Sequence, residues 1–469
     1  MPHDLLLQLA DIVGTDHVLC DGNQDAYVID ARKRYRGRAL AVVRPANTAE
    51  VAAVVKACAV HATPIVPQGG NTGLVGGGVP DEEGREIVLY LGRMRSIRSI
   101  DADNRSMTVD AGCVLQQVQE AAHASGLLFP LSIGSQGSCT IGGNLATNAG
   151  GTQVLHYGNA RDLCLGLEVV TASGEIWNGL SGLRKDNTGY DLRDLFIGSE
   201  GTLGIITGAT LKLCAPPAST LTALLACENV EAAVALLARL RGAMAAQLTG
   251  FELMGQHALA LVAQHFPERR QPFEEAPWAV LVEFACDDAD ATQDWLGEQI
   301  ADLASDAVVA TSQAQAEALW QLRDAIPPAQ ARDGLNIKHD IALPVSEIAG
   351  FLRDMERVLP ERVPGVRPVV FGHLGDGNLH FNLQAPIGVP AADFLQQHEA
   401  GCQACVHDAV AARGGSFAAE HGIGRLKQQE LATRKSPVAL AMMHAIKQAL
   451  DPHNLLNPGR VLNLPGAGA

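Results

Sequence analysis

The chain has 469 residues, of which 47% are hydrophobic and 18% are charged, and its formal net charge is −16. Wholesale disorder requires low hydrophobicity and high charge, so this composition excludes it. The acidic balance argues against a nucleic-acid partner, which would favour a basic stripe. The length predicts about two or three domains.

Strand and helix signals alternate through the first part of the chain. The run from 48 to 60 has helical periodicity, with Thr48 as the expected N-cap. Residues 201–214 read as strand interrupted by Gly204 and Gly208. The other predicted strands are 39–44, 63–67, 87–91, 106–111, 163–171 and 174–177, and a second helix is predicted at 114–125.

Pro216 and Pro217 mark the best candidate for a domain boundary. Beyond them, the pattern favours an α+β domain in which helices cover an antiparallel sheet. The chain ends with a helix at 438–450 and a proline-containing loop. The predicted helices of the second part are 230–246, 290–305 and 314–325, and its predicted strands are 220–226, 278–284 and 366–371.

The N-terminal residues, the hydrophobic runs and the cysteines indicate where the protein is located and whether its cysteines form disulfides. No Lys or Arg precedes Arg32, which argues against a secretory or mitochondrial leader, and no apolar run approaches the ~18 residues of a membrane helix. Ten cysteines in a chain of this length do not indicate a disulfide framework. Cys402 and Cys405 form a Cys-x-x-Cys with helical flanks, so we expect helical spacing rather than a redox pair or half a zinc site. With the Ala- and Arg-rich composition, these features predict a bacterial cytoplasmic protein without a transmembrane segment.

Glycine is the informative excess, with 48 residues. It is bunched at 69–78, 134–151 and 372–377, where the backbone turns sharply or approaches another group closely. Residues 67–74 present consecutive backbone N–H groups of the kind that bind phosphate. No Gly-x-Gly-x-x-Gly opens a helix and no P-loop motif occurs, so the usual nucleotide cradles are absent. A single such block would favour a turn without a ligand, but the further blocks at 137–151 and 198–207 indicate the walls of an extended cofactor groove.

A possible metal site is encoded near the C-terminus. His373 and His380 flank the Asp-Gly pair at 376–377, a strong signal for a two-residue hairpin turn. Such a turn would place His373 opposite His380, with Cβ atoms ~5 Å apart. Glu420 and His421 add a carboxylate and an imidazole on opposite sides of extended backbone. Two His and one Glu are a common catalytic zinc set; manganese, cobalt or iron stay open, and separate polar residues beside a hairpin are the alternative.

Together the glycine blocks, the segment 181–207 and the C-terminal motifs resemble the vanillyl-alcohol-oxidase-type flavoproteins. The whole chain is similar to the D-2-hydroxy acid dehydrogenases of that family, a group with D-2-hydroxyglutarate dehydrogenases, D-lactate dehydrogenases and the flavin subunit of glycolate oxidase. The resemblance implies an α+β fold. It comprises a two-part FAD-binding domain at 1–217, an α+β substrate- and metal-binding domain with an antiparallel sheet at 218–420, and a C-terminal helical segment at 421–469 that returns to the flavin site.

The resemblance also implies non-covalent FAD. Some relatives attach flavin through a His in the first glycine loop, where this chain has Asn71. The first loop would hold the pyrophosphate, the second block the flavin, and Gly201 with Ile206 the adenine half. The implied FAD-binding residues are Pro67, Gln68, Gly69, Gly70, Asn71, Thr72, Gly73, Leu74, Gly137, Ser138, Thr140, Gly143, Asn144, Thr147, Asn148, Gly150, Gly201, Ile206 and Asn457.

By the same resemblance, the reacting groups come from the second part of the chain. The implied roles are metal ligation by His373, His380 and Glu420, base catalysis by His421, and substrate binding by Arg323, Lys338 and Asn378, with Asn378 also counted as catalytic. Where the hydroxyglutarate enzymes commonly place Thr, this chain has Pro327. That departure leaves the side chain of the hydroxy acid open.

The implied reaction is oxidation of a D-2-hydroxy acid to the 2-oxo acid, with hydride transfer to flavin. D-2-hydroxyglutarate comes before D-lactate, D-malate or glycolate as the expected substrate. A divalent metal, zinc first, an electron-transfer flavoprotein or quinone as acceptor, and a homodimer are also expected. Two alternatives are a zinc hydrolase without a cofactor and a non-catalytic flavin subunit of a larger complex.

Overall fold

The computed structural model describes residues 2–20, 22, 24–269, 271–273 and 276–464, which divide into two compact units. Unit 1 takes in 1–150, 158–216 and 420–469, and unit 2 takes in 151–157 and 217–419. The predicted domain ranges also include Met1, Asp21, Asn23, Arg270, Glu274, Glu275 and residues 465–469, which lie outside the described residues. Each helix in the described ranges is too short or too polar to span a lipid bilayer.

Two β-sheets form the framework of unit 1. Its strands are β1 (Val18–Leu19), β2 (Ala39–Val43), β3 (Ile65–Gln68), β4 (Glu86–Tyr90), β5 (Ile97–Asp101), β6 (Ser106–Asp110), β7 (Cys164–Val170), β8 (Ile176–Gly179) and β9 (Ile205–Lys212). Within the described residues, one sheet has the order β1-β2-β4-β3, in which β4 runs parallel to both β2 and β3. The other is antiparallel, in the order β5-β6-β9-β7-β8.

Helices connect these strands, and one of them supplies the crossover that parallel strands need. The helices of unit 1 are α1 (Pro2–Val13), α2 (Asp25–Val28), α3 (Thr48–Val60), α4 (Leu115–Ala124), α5 (Ile141–Ala146), α7 (Arg193–Phe196), α15 (Gln428–Arg434) and α16 (Pro437–Leu450). The crossover helix is α3, between β2 and β3. Its apolar positions, including Val51, Val54, Val55 and Cys58, are buried.

The N-cap of α3 differs from the prediction. Asn47, not Thr48, has extended backbone and accepts a hydrogen bond from the Glu50 amide through its side chain, at 3.0 Å. Thr48 already has helical backbone, and its hydroxyl donates to Glu168 Oε1 at 2.6 Å. Asn caps a helix at least as well as Thr, so the start shifts by one residue.

Strand β9 also differs from its prediction. Residues 201–204 form a turn, and β9 runs unbroken through Gly208. A Cβ atom on Gly208 would lie 3.0 Å from the Arg98 guanidinium. The glycine therefore makes room for an arginine, which pairs with Glu168 and Asp110.

Unit 2 confirms the predicted antiparallel sheet with covering helices. Its strands are β10 (Ser219–Cys227), β11 (Leu248–Gly255), β12 (Trp278–Cys286), β13 (Asp306–Val309), β14 (Asn336–Ile337), β15 (Asp340–Ala342), β16 (Arg367–Gly372) and β17 (Asn378–Gln384). Its helices are α6 (Val154–Tyr157), α8 (Val230–Met244), α9 (Gln256–His265), α10 (Ala289–Ile300), α11 (Gln313–Asp324), α12 (Ile326–Asp333), α13 (Val345–Arg362) and α14 (Ala391–Ala412). Among the described residues the strand order is β13-β10-β12-β11-β16-β17-β14, with β15 also pairing with β17. Cys402 and Cys405 lie on α14 as free thiols.

Strand β17 separates an apolar core from a polar surface of the sheet. Leu379, Phe381 and Leu383 enter the larger hydrophobic core of unit 2. Since successive side chains of a strand point to opposite faces, Asn378 and His380 lie on the other face. One face of β17 therefore carries stability and the other carries polar groups.

The hairpin between β16 and β17 forms, but the predicted two-residue turn is wrong. Phe371, not His373, lies opposite His380, and residues 373–377 form the connection. Their backbone makes a helix-like turn, in which the Gly377 amide donates to His373 O at 3.1 Å. A tertiary contact holds the longer turn: the Leu343 amide donates to Gly377 O at 3.0 Å, and a Cβ on Gly377 would lie 2.2 Å from Leu343 O, so glycine is required there.

The last helix fastens the C-terminal segment into unit 1. The Lys447 ammonium is buried and donates to Thr202 O at 2.8 Å, Asp451 Oδ2 at 2.6 Å and Leu456 O at 2.9 Å. Leu456 in turn forms a parallel β-bridge with Ile65. Burial lowers the pKa of Lys447, and the Asp451 carboxylate opposes that shift.

Replacing Lys447 by Met should remove all three hydrogen bonds and leave Asp451 buried without its cation. Breaking a buried ion pair in this way lowers the free energy of unfolding by about 3–5 kcal/mol. Urea unfolding of the full chain would measure this loss. Lys435→Met is the matched control, because Lys435 is exposed and an exposed substitution changes stability by about 0.5 kcal/mol or less. Equal stability of the two variants would contradict this account of the fastening.

Candidate active site

The glycine-rich blocks of unit 1 wall a single cavity with about 1040 Å³ of empty space, including its open mouth. The predicted residues that line it are Pro67, Gln68, Gly69, Gly70, Asn71, Thr72, Gly73, Thr140, Gly143, Asn144, Thr147, Gly201 and Ile206. The first two blocks pack backbone against backbone, since a Cβ on Gly70 would lie 2.1 Å from Ser138 O. Glycine is therefore required at this contact.

Backbone N–H groups that are not engaged by protein acceptors in the described chain make this cavity suitable for a phosphate. Among the described residues, the amides of residues 69–73 donate to no protein acceptor. Buried or partly buried amides are normally paired, and consecutive free N–H groups form an anion-binding nest. The row therefore suits the pyrophosphate of a dinucleotide.

Among the buried side-chain atoms of the described chain that have no hydrogen-bond partner, three belong to predicted cofactor-binding residues. They are Gln68 Oε1, Asn144 Nδ2 and Asn457 Oδ1. Gln68 and Asn144 line the cavity, so Gln68 Oε1 can accept a hydrogen bond from a ligand and Asn144 Nδ2 can donate one. A ligand with both kinds of group, as a flavin or an adenine has, would satisfy them.

Asn71 has a structural role within the first loop. It adopts a left-handed φ of 53°, which Asn tolerates better than most residues. Its Nδ2 donates to Ala26 O at 3.1 Å and to Ile29 O at 2.8 Å. The side chain thus fixes the loop.

Several predicted cofactor residues do not line this cavity. They are Leu74, Gly137, Ser138, Asn148, Gly150 and Asn457. Two of them support its walls: Asn148 Oδ1 accepts from the Arg161 amide at 3.0 Å, and Asn457 Nδ2 donates to Gly77 O and Glu200 O. The side-chain amides of Asn148 and Asn457 therefore hold the backbone around the cavity in place.

His421 lies in the wall of the same cavity, together with Glu200. The Glu200 carboxylate accepts from the amides of Ile423 at 2.7 Å and Gly424 at 2.8 Å. Burial raises the pKa of Glu200, while the two amide hydrogen bonds and the Lys427 charge oppose the rise. The sequence prediction assigned Glu200 no role, although a lone acid within a glycine-rich segment was a usable signal.

In unit 2, a buried carboxylate joins two predicted site residues. Glu252 on β11 is fully buried, accepts from Arg323 Nε at 2.8 Å and lies 2.5 Å from His373 Nδ1. Burial alone would raise the pKa of Glu252, but the charges of His373 and Arg323 and their hydrogen bonds lower it to about 2. Glu252 therefore stays ionised and orients both partners.

His373 and His380 come together as predicted, although the strand register differs. Their ring centroids are 5.7 Å apart. Behind His380 lies Asp340, with Oδ1 3.9 Å from His380 Nδ1. Each imidazole thus has a carboxylate beside one ring nitrogen, an arrangement typical of metal-ligating His, so this pair suits a metal ion. Glu420 and His421 begin the last segment of unit 1.

Asn378 is held by both of its amide protons. Its Nδ2 donates to Asp340 Oδ1 and to Ile341 O, each at 3.0 Å. Its Oδ1 is buried and has no partner among the described residues. Asn378 therefore has an acceptor to offer to a substrate, and its donors are already used.

The remaining predicted substrate residues lie around these groups. Lys338 is half-buried in the short link between β14 and β15. Arg323, at the end of α11, is buried and lies 5.7 Å from the centre of the Phe371 ring. Pro327 occupies the exposed first turn of α12 and offers neither a hydroxyl nor an N–H group.

Comparison with known proteins agrees with these features. Residues 39–179 match the family model "FAD binding domain", and residues 216–461 match "FAD linked oxidases, C-terminal domain". Solved p-cresol methylhydroxylase with bound substrate has the same fold, with a TM-score of 0.78 at 18% identity over 98% of this chain and 96% of that one. The flavin-binding match rules out the alternative of a hydrolase without a cofactor.

Two relatives are similar over almost the whole chain. A D-2-hydroxyglutarate dehydrogenase of Xanthomonas citri is 40% identical over 93% of this chain and 92% of its own length. The mitochondrial D-2-hydroxyglutarate dehydrogenase of Rattus norvegicus is 39% identical over 92% of this chain and 80% of its own length. The chain is thus a flavin-dependent oxidoreductase and belongs to the FAD-linked oxidase family, in the branch of the D-2-hydroxyglutarate dehydrogenases.

Proposed function

We propose that this enzyme oxidises a D-2-hydroxy acid at C2, with D-2-hydroxyglutarate as the first candidate substrate. The names of its relatives support the substrate class. The observation that carries the proposal is an imidazole, His421, in the wall of a cavity built from flavin-binding motifs. A proton acceptor beside a flavin is what removal of a hydride from an alcohol requires.

FAD would be held without a covalent bond by the backbone amides of residues 69–73 and by the side chains of Gln68 and Asn144. When bound, FAD supplies the acceptor for the hydride that leaves C2. His421 takes the proton of the C2 hydroxyl, since a neutral imidazole is an effective base near pH 7. Asn71 keeps the first loop in place.

A divalent metal ion, zinc first, would be held by His373, His380 and Glu420. When bound, the ion supplies Lewis acidity that lowers the pKa of a substrate hydroxyl. Two observations support the set: each His has a carboxylate at one ring nitrogen, and the Ala419 amide donates to Asp340 O at 3.4 Å. Asp340 lies opposite His380 in the sheet. Ala419, the residue before Glu420, is therefore hydrogen-bonded to the neighbour of a proposed metal ligand.

Arg323 and Lys338 would bind the substrate carboxylates. Glu252 holds the Arg323 guanidinium in one orientation, which suits a planar fork for a carboxylate. Asn378 Oδ1 would accept a hydrogen bond from the substrate hydroxyl, because both donors of its Nδ2 are already used. Pro327 supplies no donor for a distal carboxylate, and this favours D-lactate as the second candidate substrate.

The partners of the reaction follow from the family resemblance. We propose an electron-transfer flavoprotein or a quinone as the acceptor that re-oxidises the flavin. A homodimer is proposed on the same basis, and a bacterial cytoplasmic location is proposed from the composition of the chain. A flavin subunit of a larger complex is the alternative assembly.

Anaerobic mixing with a panel of D- and L-2-hydroxy acids tests the proposed reaction. We expect D-2-hydroxyglutarate to bleach the flavin absorption faster than D-lactate, D-malate, glycolate or any L-acid. The measurement is the rate of absorbance loss at saturating substrate. Fastest bleaching by D-lactate would assign the second substrate, and no bleaching by any acid would contradict a dehydrogenase acting in isolation.

His421→Asn removes the proposed base and keeps a polar side chain of similar reach. Loss of a general base slows the step about 10²–10⁴-fold, so flavin reduction at saturating D-acid should fall by that factor. His444→Asn is the control, because His444 lies on α16 and does not line the cavity. Near-normal reduction by His421→Asn would eliminate the base assignment.

His380→Gln tests the metal set. We expect about one divalent ion per wild-type chain by atomic emission, and about 10-fold weaker metal binding or more in the variant, as loss of one of three ligands predicts. Added zinc should restore chelator-treated wild type but not the variant. His398→Gln, on α14 of the same unit, should retain the metal. Full activity of metal-free wild type would contradict the proposal.

A further inference from the structure

Glu200 stands at the meeting point of three segments of unit 1. Its backbone has a left-handed φ of 53°, and its amide donates to Ala146 O, at the end of α5, at 2.8 Å. Its carbonyl accepts from Asn457 Nδ2 at 2.8 Å. Hydrogen bonds thus hold the Glu200 backbone at both its amide and its carbonyl, and this fixes the position of its Cα atom.

The Glu200 carboxylate uses both oxygens on consecutive amides of the loop that follows His421. Oε1 accepts from Ile423 at 2.7 Å, and Oε2 accepts from Gly424 at 2.8 Å. Consecutive N–H groups of this kind form a nest for an anion, and hydrogen bonds to an ionised acceptor are about twice as strong as neutral ones. The loop is therefore clamped two residues after His421.

Close packing leaves this loop no room to shift. Gly422 and Gly424 have left-handed φ angles of 77° and 50°. A Cβ on Gly422 would lie 2.7 Å from Glu200 Oε1, and a Cβ on Gly424 would lie 2.4 Å from Val75 O. Val75 O also accepts from the Arg425 amide at 3.0 Å. The loop is held between the Glu200 carboxylate and the Val75 carbonyl, both in the cavity wall.

We propose that Glu200 is a positioning residue, whose carboxylate fixes the loop after His421 and thereby aims the His421 imidazole into the cavity. This inference rests on the proposed role of His421 as base. Glu200 acts through the loop and not on the substrate. A displacement of about 1 Å in a reacting group is enough to cost about 100-fold in rate, so loss of the clamp should slow proton removal.

Glu200→Gln is the direct test, because a carboxamide can accept only one of the two amide hydrogens and turns an N–H group toward the other. Glu168→Gln is the matched control. Glu168 is a buried carboxylate of unit 1 that, like Glu200, accepts from several donors, in its case Thr48, Arg98 and Thr207, and it does not line the cavity.

Anaerobic flavin reduction by the best D-acid is followed per bound flavin, so that partial misfolding does not affect the rate. Glu200→Gln should reduce the flavin about 10–100-fold more slowly, with the substrate concentration at half-maximal rate changed by less than about 3-fold. Glu168→Gln should lose stability but keep the rate per flavin. A wild-type rate in Glu200→Gln, or equal slowing in both variants, would overturn the proposal.

Two further variants separate position from charge and from the base itself. Glu200→Asp keeps the charge, but its side chain is too short to reach both amides, so flavin reduction should also be slow. A normal rate would overturn the positioning role.

Glu200→Gln combined with His421→Asn should reduce the flavin no more slowly than His421→Asn alone, since residues that act as a unit are non-additive. Additive losses in rate would overturn the positioning role. A normal rate in His421→Asn would remove the proposed base, whereas a slow His421→Asn with a normal Glu200→Gln would remove this inference alone.

Discussion

Backbone amides that face an open cavity cannot be satisfied by the protein, and unit 1 is arranged around such a row at residues 69–73. An unpaired amide costs free energy when water is excluded, so the apo protein must keep this row accessible. The glycines of the second block allow the two loops to approach within backbone contact. The amides of Asn148 and Asn457 then hold the surrounding backbone. A ligand that accepts hydrogen bonds would pair with these amides.

Unit 2 meets a different requirement, because its site places a buried guanidinium and two imidazoles beside carboxylates. Glu252 and Asp340 stand behind His373, Arg323 and His380. A buried ion pair is expensive unless its remaining hydrogen-bonding groups are satisfied, and Glu252 meets that condition by using both oxygens. The two carboxylates thus fix ring and guanidinium orientations in advance of any ligand.

The sequence predicted the parts of this molecule that are local. Helices over an antiparallel sheet, the glycine loops and the convergence of His373 with His380 followed from periodicity, composition and spacing. The turn between these two histidines was wrong, because an Asp-Gly pair cannot reveal that Gly377 packs against Leu343. Glu252 and Glu200 were missed since their partners lie 121 and 223 residues away along the chain. For Glu252, nothing in the local pattern distinguishes such an acid from a solvated one, whereas Glu200 at least stands alone within a glycine-rich segment.

The fastening of the C-terminal segment has a consequence for biosynthesis. Ile65 pairs with Leu456, and Glu200 binds the amides of Ile423 and Gly424, so unit 1 depends on contacts between residues at least 223 positions apart. Contacts of such sequence separation close late, because the loop entropy is paid before they form. The glycine-rich blocks can therefore reach their final surroundings only after residues 423–456 have been synthesised. A chain truncated shortly before residue 456 would lack the β-bridge to Ile65 and the Leu456 carbonyl that accepts from Lys447.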